Sequence, residues 1–386
     1  MAKGIYLGID SLSRKVKKMY LGIEGVARKV KKGYIGVNGI ARLFFAGGGK
    51  PVYSGELTPL SIGRYYIATT NRNDYAIFAC GNAYKNGSNK GTNLVDTYSQ
   101  DLVHTEITGN TFVLNAAAAS TKINSFVAGG FFGGQPISVN YTDMVWAIDK
   151  DLSTHNVSSL PQRDTWNIGL SMRTHALFFP GTLPYGTYND ANIVAYDDDN
   201  TKTLLDRYSS THIYKQATCY TNTGFGLVGG GVTVTSPNNP KKYVFSYTED
   251  LIAQQIPDLN SSSGSMDAET IGNFSVFVAT KQITAYDRDF TKIGSVANLS
   301  RQRRDGNSGK LENHIMFIGG QDKSGEWEID SDLYDEDLVQ TPGPFLPTPR
   351  YTSNASSISG NVIVAGGRGS ESASAGSDKV YAFTEE

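Results

Sequence analysis

Phe317-Ile318-Gly319-Gly320 and, fourteen residues on, Tyr334-Asp335-Glu336-Asp337-Leu338 are the two phrases on which the reading of this 386-residue chain turns. The first is an apolar run halted by small residues. It recurs as Phe78-Ala79-Cys80-Gly81, Val127-Ala128-Gly129-Gly130, Leu227-Val228-Gly229-Gly230 and Val364-Ala365-Gly366-Gly367, and more weakly as Phe178-Phe179-Pro180-Gly181 and Phe277-Val278-Ala279-Thr280. The second is an aromatic residue or Ile, two residues, then an acid: Tyr98-Asp101, Ile148-Asp151, Tyr196-Asp199, Tyr247-Asp250, Tyr286-Asp289, Tyr334-Asp337 and Phe383-Glu386. The two alternate strictly, seven of each, with a period near fifty residues. A short apolar run ended by Gly-Gly predicts a buried inner strand that stops where the backbone needs positive φ or a close approach. The aromatic-x-x-acid phrase ends the next strand and opens a polar turn. Seven such units predict an all-β fold, a seven-bladed β-propeller.

The Gly pair resembles the signature of kelch repeats, where it ends the second strand of each blade. Arg64, Arg163, Arg301 and Arg350 near the blade starts fit that family loosely, whereas Trp146, Trp166 and Trp327 do not repeat as the kelch Trp does. The resemblance implies the fold and carries no function with it. The seventh unit stops at Phe383-Thr384-Glu385-Glu386, one strand short, and Pro51-Val52-Tyr53-Ser54-Gly55-Glu56-Leu57 has no blade of its own. Residues 51–58 are therefore expected to supply the outer strand of blade seven, making 51–386 one closed ring. In blade five Thr280-Lys281 leaves almost no loop between the second and third strands, so that blade should be the shortest.

The first 45 residues follow another rule. Tyr6, Tyr20 and Tyr34 are fourteen apart, and Arg14, Arg28 and Arg42 keep the same step. One copy reads Tyr20-Leu21-Gly22-Ile23-Glu24-Gly25-Val26-Ala27-Arg28-Lys29-Val30-Lys31-Lys32. Asn38-Gly39 and Glu24-Gly25 sit where a two-residue hairpin turn needs positive φ. With residues 10–11 as turn, Ile9 faces Leu12, Leu7 faces Arg14, and Tyr6 lies opposite Lys15. An even repeat keeps each copy on the same face. Three hairpins cannot bury enough surface to stand alone, so the arm needs a partner. Residues 46–50, Ala-Gly-Gly-Gly-Lys, read as a flexible joint.

The net charge of −2 hides an asymmetry. Ten of the 35 Lys/Arg and two of the 37 Asp/Glu lie in residues 1–44, so the arm carries +8; the remaining 25 basic and 35 acidic residues give the body −10. The arm's charge admits three readings. They are solvated lysines that blunt strand edges, nucleic-acid binding, and docking onto a larger assembly or a second copy by strand addition. The regular pattern and only three aromatics argue against nucleic acid. The arm resembles the leaders of virion proteins in tailed phages and prophages of Gram-positive bacteria, which implies a structural virion protein that contacts other virion proteins through residues 1–45. No apolar run of eighteen residues predicts membrane insertion, and the first residues lack signal-peptide form.

The sequence shows no motif that carries catalytic chemistry. His104, His155, His175, His212 and His314 show no metal-binding spacing. Cys80 and Cys219 fall in non-adjacent blades and are not expected to bridge. Gly47-Gly48-Gly49-Lys50-Pro51 lacks the hydroxyl residue and the leading strand of a P-loop. Asp197-Asp198-Asp199-Asn200 and the acids of 330–337 fit no twelve-residue calcium loop and read as solvated turns. Gln321–Trp327, faintly similar to a sialidase Asp-box, also reads as a turn. No catalytic residue, cofactor or metal is expected. Tyr84, Phe131, Phe132, Tyr141, Tyr185 and Tyr188 lie past the Gly phrases, where flat rings would stack on a host cell-surface glycan or anchor a protein; the alternative is that they pack beneath their own loops. The rival to a host-attachment or particle-decoration role is a propeller enzyme acting on a surface polymer, which convergent acids at the axis would favour; a kelch-type protein scaffold is the third reading.

Overall fold

The computed structural model describes the backbone of residues 6–9, 12–15, 19–23, 26–30, 32–37 and 40–46. From 49 to 386 it describes all but 73, 86–87, 133–140, 164, 166–167, 182–191, 207–212, 215, 234–235 and 370–375. Seven antiparallel sheets follow one another around an axis. Taking the innermost strand first, blade one is Ala68–Asn71, Tyr75–Ala79, Ser88–Ser99 and His104–Val113; blade two is Ala117–Ser120, Ser125–Ala128, Val145–Ile148 and Thr154–Val157. Blade three runs Ile168–Ser171, His175–Phe179, Ile193–Asp197, Lys202–Leu205, and blade four Ala217–Tyr220, Gly226–Gly229, Val244–Tyr247, Ala253–Ile256. Blade six is Asn307–Lys310, His314–Ile318, Ser331–Asp335 and Gln340–Pro342. Blade five has three strands, Met266–Ile271, Phe274–Ala279 and Gln282–Tyr286; in place of a fourth it keeps a single bridge, Tyr286 to Lys292. The chain is a seven-bladed β-propeller.

Side-chain alternation explains why the second strands read as unbroken apolar runs. In Tyr75–Ala79, Ala76 and Phe78 point into the cluster shared with blade seven, while Ile77 and Ala79 point into the one shared with blade two. Both faces of each sheet are covered, so neither face can be polar. The described residues form seven apolar clusters, and each belongs to one pair of neighbouring blades. The Gly-ended runs are the second strands; the innermost strands carry no apolar phrase, and sequence reading passed over them.

The halting residues have fixed conformations. The first is left-handed (Gly129 φ 65°, Gly319 66°, Gly366 65°), and Cys80 (58°) and Thr280 (56°) occupy the same position without being Gly. The second lies further out, at 97° in Gly130, 92° in Gly320 and 88° in Gly367, a region open to Gly alone. In blade four the pair is Gly230-Gly231 (72° and 89°), one residue later than the sequence reading, because Gly229 is still in the strand.

The aromatic-x-x-acid phrase is a turn between third and fourth strands. The first polar residue folds back on the amides ahead of it: Asp287 accepts from Asp289 N (3.0 Å) and Thr291 N (2.8 Å), and Asp335 from Asp337 N (2.9 Å) and Val339 N (3.0 Å). The residue after the acid takes positive φ in Leu102, Leu152, Asn200, Leu251, Phe290 and Leu338. Asp287 and Asp335 are thus Asx-turn formers, each carboxylate bonded to amides of its own turn. The preceding tyrosines are structural as well. Tyr98, Tyr196, Tyr286 and Tyr334 donate to Thr58, Ser158, Pro257 and Ala297 carbonyls at 2.6–2.8 Å, tying each blade to the connection that arrives from its neighbour. Ile148 and Phe383 hold the same place without a hydroxyl.

Blade seven is closed by both ends of the body. Asn354–Ile358, Asn361–Ala365 and Val380–Glu385 are joined by Pro51–Glu56 as outer strand, with Phe383 opposite Tyr53 and Glu385 opposite Pro51. The ladder runs back to Lys50, whose N–H donates to Glu386 O (2.9 Å), so the end of the 46–50 joint is already pinned. Ala46 belongs to the arm's last strand, Ile40–Ala46. The arm itself is three hairpins, Tyr6–Ile9 with Leu12–Lys15, Met19–Ile23 with Val26–Val30, and Lys32–Val37 with Ile40–Ala46. In the first, Ile9 pairs with Leu12, Leu7 with Arg14 and Tyr6 with Lys15, the register read from the turn.

Because neighbouring strands are antiparallel, turns joining first to second and third to fourth strands share one face, here the turn face. The other connections, including the loops after the Gly pairs, share the opposite loop face. Pro51 pairs with the end of the third strand of blade seven, so the chain enters the ring on the turn face.

Candidate functional site

The innermost strands surround a cavity of about 870 Å³ that extends to their turns. Hydroxyl residues dominate its wall because each blade interface is stitched there by Ser or Thr. Thr70 and Ser120 pair their hydroxyls (2.8 Å), Ser171 Oγ accepts from Ser120 N (2.9 Å), and Thr218 donates to Gly169 O (2.8 Å). Thr270 donates to Tyr220 O (3.1 Å), Ser308 to Ala268 O (3.3 Å), Ser357 Oγ accepts from Lys310 N (2.7 Å), and Ser356 donates to Thr70 O (3.0 Å). Small side chains let the strands converge, and the hydroxyls satisfy edge groups that a ring axis leaves unpaired. Lys122 and Arg173 stand at the turn-face mouth; Glu269, its carboxyl raised by burial against the opposing Thr270 N–H and Lys310, lies within.

On the loop face, side chains from blades six, seven and one form a continuous ladder. Trp327 stacks on Tyr351 (centroids 5.5 Å apart, planes at 21°). Tyr351 OH accepts from Arg368 Nη1 (3.4 Å), the guanidinium lies 4.5 Å from the centre of the Tyr65 ring, and Tyr65 packs on Tyr66 at 5.0 Å. Main-chain bonds fix the geometry, since Tyr351 and Arg368 exchange both N–H···O contacts (3.0 and 2.9 Å), and Gln321 bridges Trp327. Tyr65 is buried, while Trp327, Tyr351, Tyr66 and Arg368 keep part of their surface. Beside the ladder, Asp305 O accepts from Thr352 N (3.3 Å), and Asp305 N donates to Ser265 Oγ (2.6 Å).

This rim stores strain. Tyr66 (φ 53°), Asn115 (55°), Asp305 (48°) and Thr352 (50°) each stand two residues before an innermost strand in left-handed conformation, which costs a non-Gly residue on the order of 1–3 kcal/mol. Polar atoms are left unpartnered in the same region: Asn82 Oδ1, Asn115 Oδ1, Thr352 Oγ1 and Arg368 Nε. Asn82, Asn115 and Thr352 retain 8%, 9% and 7% of their surface.

The loop residues singled out by sequence divide. Tyr84 (44% exposed) and Phe132 (41%) are open to solvent, whereas Phe131 and Tyr141 stack on one another at 5.8 Å and are half-buried under their loop. Tyr185 and Tyr188, and the side chains of Tyr6, Arg14, Tyr20, Arg28, Tyr34 and Arg42, lie outside the described residues. Of the blade-start arginines, Arg64 and Arg350 are buried clamps: Arg64 donates to Phe78 O (2.9 Å) and Asp96 (2.5 Å), and Arg350 to Gly366 O (3.0 Å). Arg163 and Arg301 are exposed instead; the clamp of blade six is Arg303, bonded to Gly319 O (3.2 Å) and Asp332 (2.9 Å), two residues beyond the expected one. His104, His155 and His314 face Asp96, Asp149 and Glu385, and both cysteines are free and buried. The ladder escaped sequence reading because it draws one or two residues from each of four separated segments.

Neither a family model nor a curated protein matches the chain. A solved structure titled "Structure of YjhT" matches with a TM-score of 0.53 at 13% identity, over 74% of this chain and 99% of that one. The likeness is one of fold.

Carboxylates set an acid limit on the ring. Burial alone would raise Glu385, but bonds from His314 and Asn313 outweigh it and hold the group below its usual 4.5; Glu249 is lowered likewise by Thr174, Tyr220 and the Arg173 amide, and Asp96 by Arg64, Ser61 and His104. A group depressed by folding contributes stability above its unfolded pKa and loses it as pH falls through the folded value. Asp267 has the opposite sign: burial first, then Asp305, pushes it up to about 6, so its contribution declines as pH rises from about 4 to 6. Thermal melts should therefore show a midpoint that collapses below about pH 4, and Asp267→Asn should remove the downward slope between pH 4 and 6. An unchanged slope in the variant would refute the assignment.

Proposed function

We propose that this chain is a non-enzymatic virion component of a tailed phage. Residues 1–45 fix it to other virion proteins, and the propeller presents its loop face for attachment to the host surface or decoration of the particle. The observation that carries the reading is directional: the chain enters the ring at Lys50 and Pro51 on the turn face, so the loops and the aromatic ladder face away from the tether. The +8 arm and the −10 body fit two separate jobs, and the arm's likeness to virion leaders supports the particle. The test compares the full chain with a chain beginning at Gly49, which keeps the closing strand. By light scattering and pull-down on intact particles, only the full chain should self-associate or be captured. Equal behaviour of the two would sink the arm's assembly role.

A second reading, a propeller enzyme acting on a surface glycan, is favoured by one observation. Asp267, on the innermost strand of blade five, is raised to about 6 by burial and then by Asp305 against the opposing pull of Arg303, and it shares that strand with Glu269, which lines the axial cavity. Turnover of a surface polymer abolished by Asp267→Asn would establish that reading, and polymer left intact by the wild-type chain would remove it.

A further inference from the structure

The axial cavity is charged against the body that surrounds it. The body carries −10, yet the described wall residues include four basic side chains and a single carboxyl, Glu269. Arg72 is already engaged, bonding Asp74 (2.7 Å), Ile123 O (3.0 Å) and Ile148 O (3.1 Å). Lys122, Arg173 and Lys310 are not: among the described residues none of these three side chains has a hydrogen-bond or ion-pair partner. Lys310 is half-buried on the innermost strand of blade six, where its main chain joins the hydroxyl stitching (Lys310 N to Ser357 Oγ, 2.7 Å) and its side chain does not. Its ammonium keeps accessible surface on the cavity, so a ligand there can reach it. Glu269 attracts Lys310 but is bonded to Thr270 N (2.9 Å) and not to the ammonium. Partly desolvating an ammonium costs free energy that a carboxyl out of contact offsets only in part. Lys122 and Arg173 stand exposed on adjacent turns at the mouth, joined by Lys122 N donating to Arg173 O (2.9 Å). Glu249 lies behind the Arg173 turn, with its oxygens taken by the Arg173 and Thr174 amides (3.2 and 3.1 Å), the Thr174 hydroxyl and Tyr220 OH. In a ring of seven, blade six lies across the axis from blades two and three, so the three cations face one opening from both sides.

We propose that the turn-face half of the axial cavity binds a small oxyanion, a phosphate or carboxylate group on a polar body, held between Lys122 and Arg173 on one side and Lys310 on the other. A cleft of one sign with low-dielectric walls concentrates counter-ions, and hydrogen bonds to an ionised group are roughly twice as strong as neutral ones. Ser357, whose Oγ accepts from Lys310 N, keeps its O–H to donate beside the ammonium. Glu269 precedes the end of its strand by two residues and so lies further from the turns than Lys310; it faces the rest of the ligand and disfavours a second anionic group there. At about 870 Å³ the cavity has room for more than the anionic group alone. The inference is separate from the attachment reading, since this mouth opens on the tether's side of the ring and not among the loops.

The test titrates the full chain by calorimetry at low ionic strength with glycerol 3-phosphate, glycerate and inorganic phosphate, and with glycerol as the uncharged control. Glycerol 3-phosphate or glycerate should bind, one per chain, and glycerol should not; the tighter of the two identifies phosphate or carboxylate as the group recognised. Lys310→Met should weaken binding about tenfold or more, the worth of one hydrogen bond to a charged group. The unfolding midpoint of the ligand-free variant should be unchanged or higher, and Lys310→Arg should keep most of the affinity. Arg173→Gln, on an exposed turn, should give a similar loss without altering the wall, and Glu269→Gln should tighten binding by removing a like charge. The ten basic residues of the arm are a second place for an anion to settle. Binding unmoved by both Lys310→Met and Arg173→Gln belongs to the arm and overturns the cavity site, as does failure of all three anions to bind or equal binding of glycerol.

Discussion

Gly367→Ala is expected to destabilise the propeller by about 3–5 kcal/mol. Two costs add. At φ 88° an L side chain is strained by its own backbone. A Cβ there would also stand 2.7 Å from Ser353 N and Cβ and 2.8 Å from Ser353 Cα, atoms of the connection entering the same blade. That connection is held by Tyr351 paired with Arg368 and by Thr352 N donating to Asp305 O (3.3 Å), while Gly367 is itself tied by its N–H to Arg64 O (2.9 Å), so neither side can readily move. The control is Thr280→Gly at the first position of the pair, where φ is 56° and a β-branched residue is already tolerated. It should change stability by less than about 1 kcal/mol. Chemical denaturation of both variants measures the contrast; similar losses would show that the two positions are not distinct in kind.

Arg64→Met should cost about 3–5 kcal/mol. Arg64 and Asp96 are both wholly buried, and the carboxylate also accepts from Ser61 N (3.0 Å), Ser61 Oγ (2.6 Å) and His104 (2.6 Å). Removing the guanidinium leaves a charge inside the closing interface between blades seven and one, where Arg64 N also donates to Ser377 O. The loss should be greater at neutral pH than near pH 4, since protonation relieves the stranded carboxylate. A double variant with Asp96→Leu should recover much of the stability, because replacing both charges by apolar groups is far cheaper than orphaning one. Failure of the double variant to recover would mean that Arg64 acts through its bond to Phe78 O instead.

Sequence by itself determined whatever local chemistry repeats. Gly-Gly at a strand end, Tyr-x-x-Asp at a turn and a fourteen-residue step in the arm are each satisfied within a few residues. Their physical causes, positive φ, Asx-turn bonding and two-residue hairpin geometry, act on neighbours in the chain, and so the blades, their number, the hairpin register and the strand that closes the ring were legible. Blade four slipped by one residue because three consecutive glycines carry no register. Arg301 was preferred to Arg303 because distance along the chain does not say which side chain points inward. Only the tertiary structure decided what lies between blades. The hydroxyls of Thr70, Ser120, Ser171 and Ser356 are ordinary polar residues until the ring closes and makes each the partner of another blade. The ladder from Trp327 to Tyr66 exists only because the last blade meets the first, bringing Arg368 against Tyr65, just over three hundred positions earlier in the chain. Contacts of that separation leave no periodic trace in a sequence.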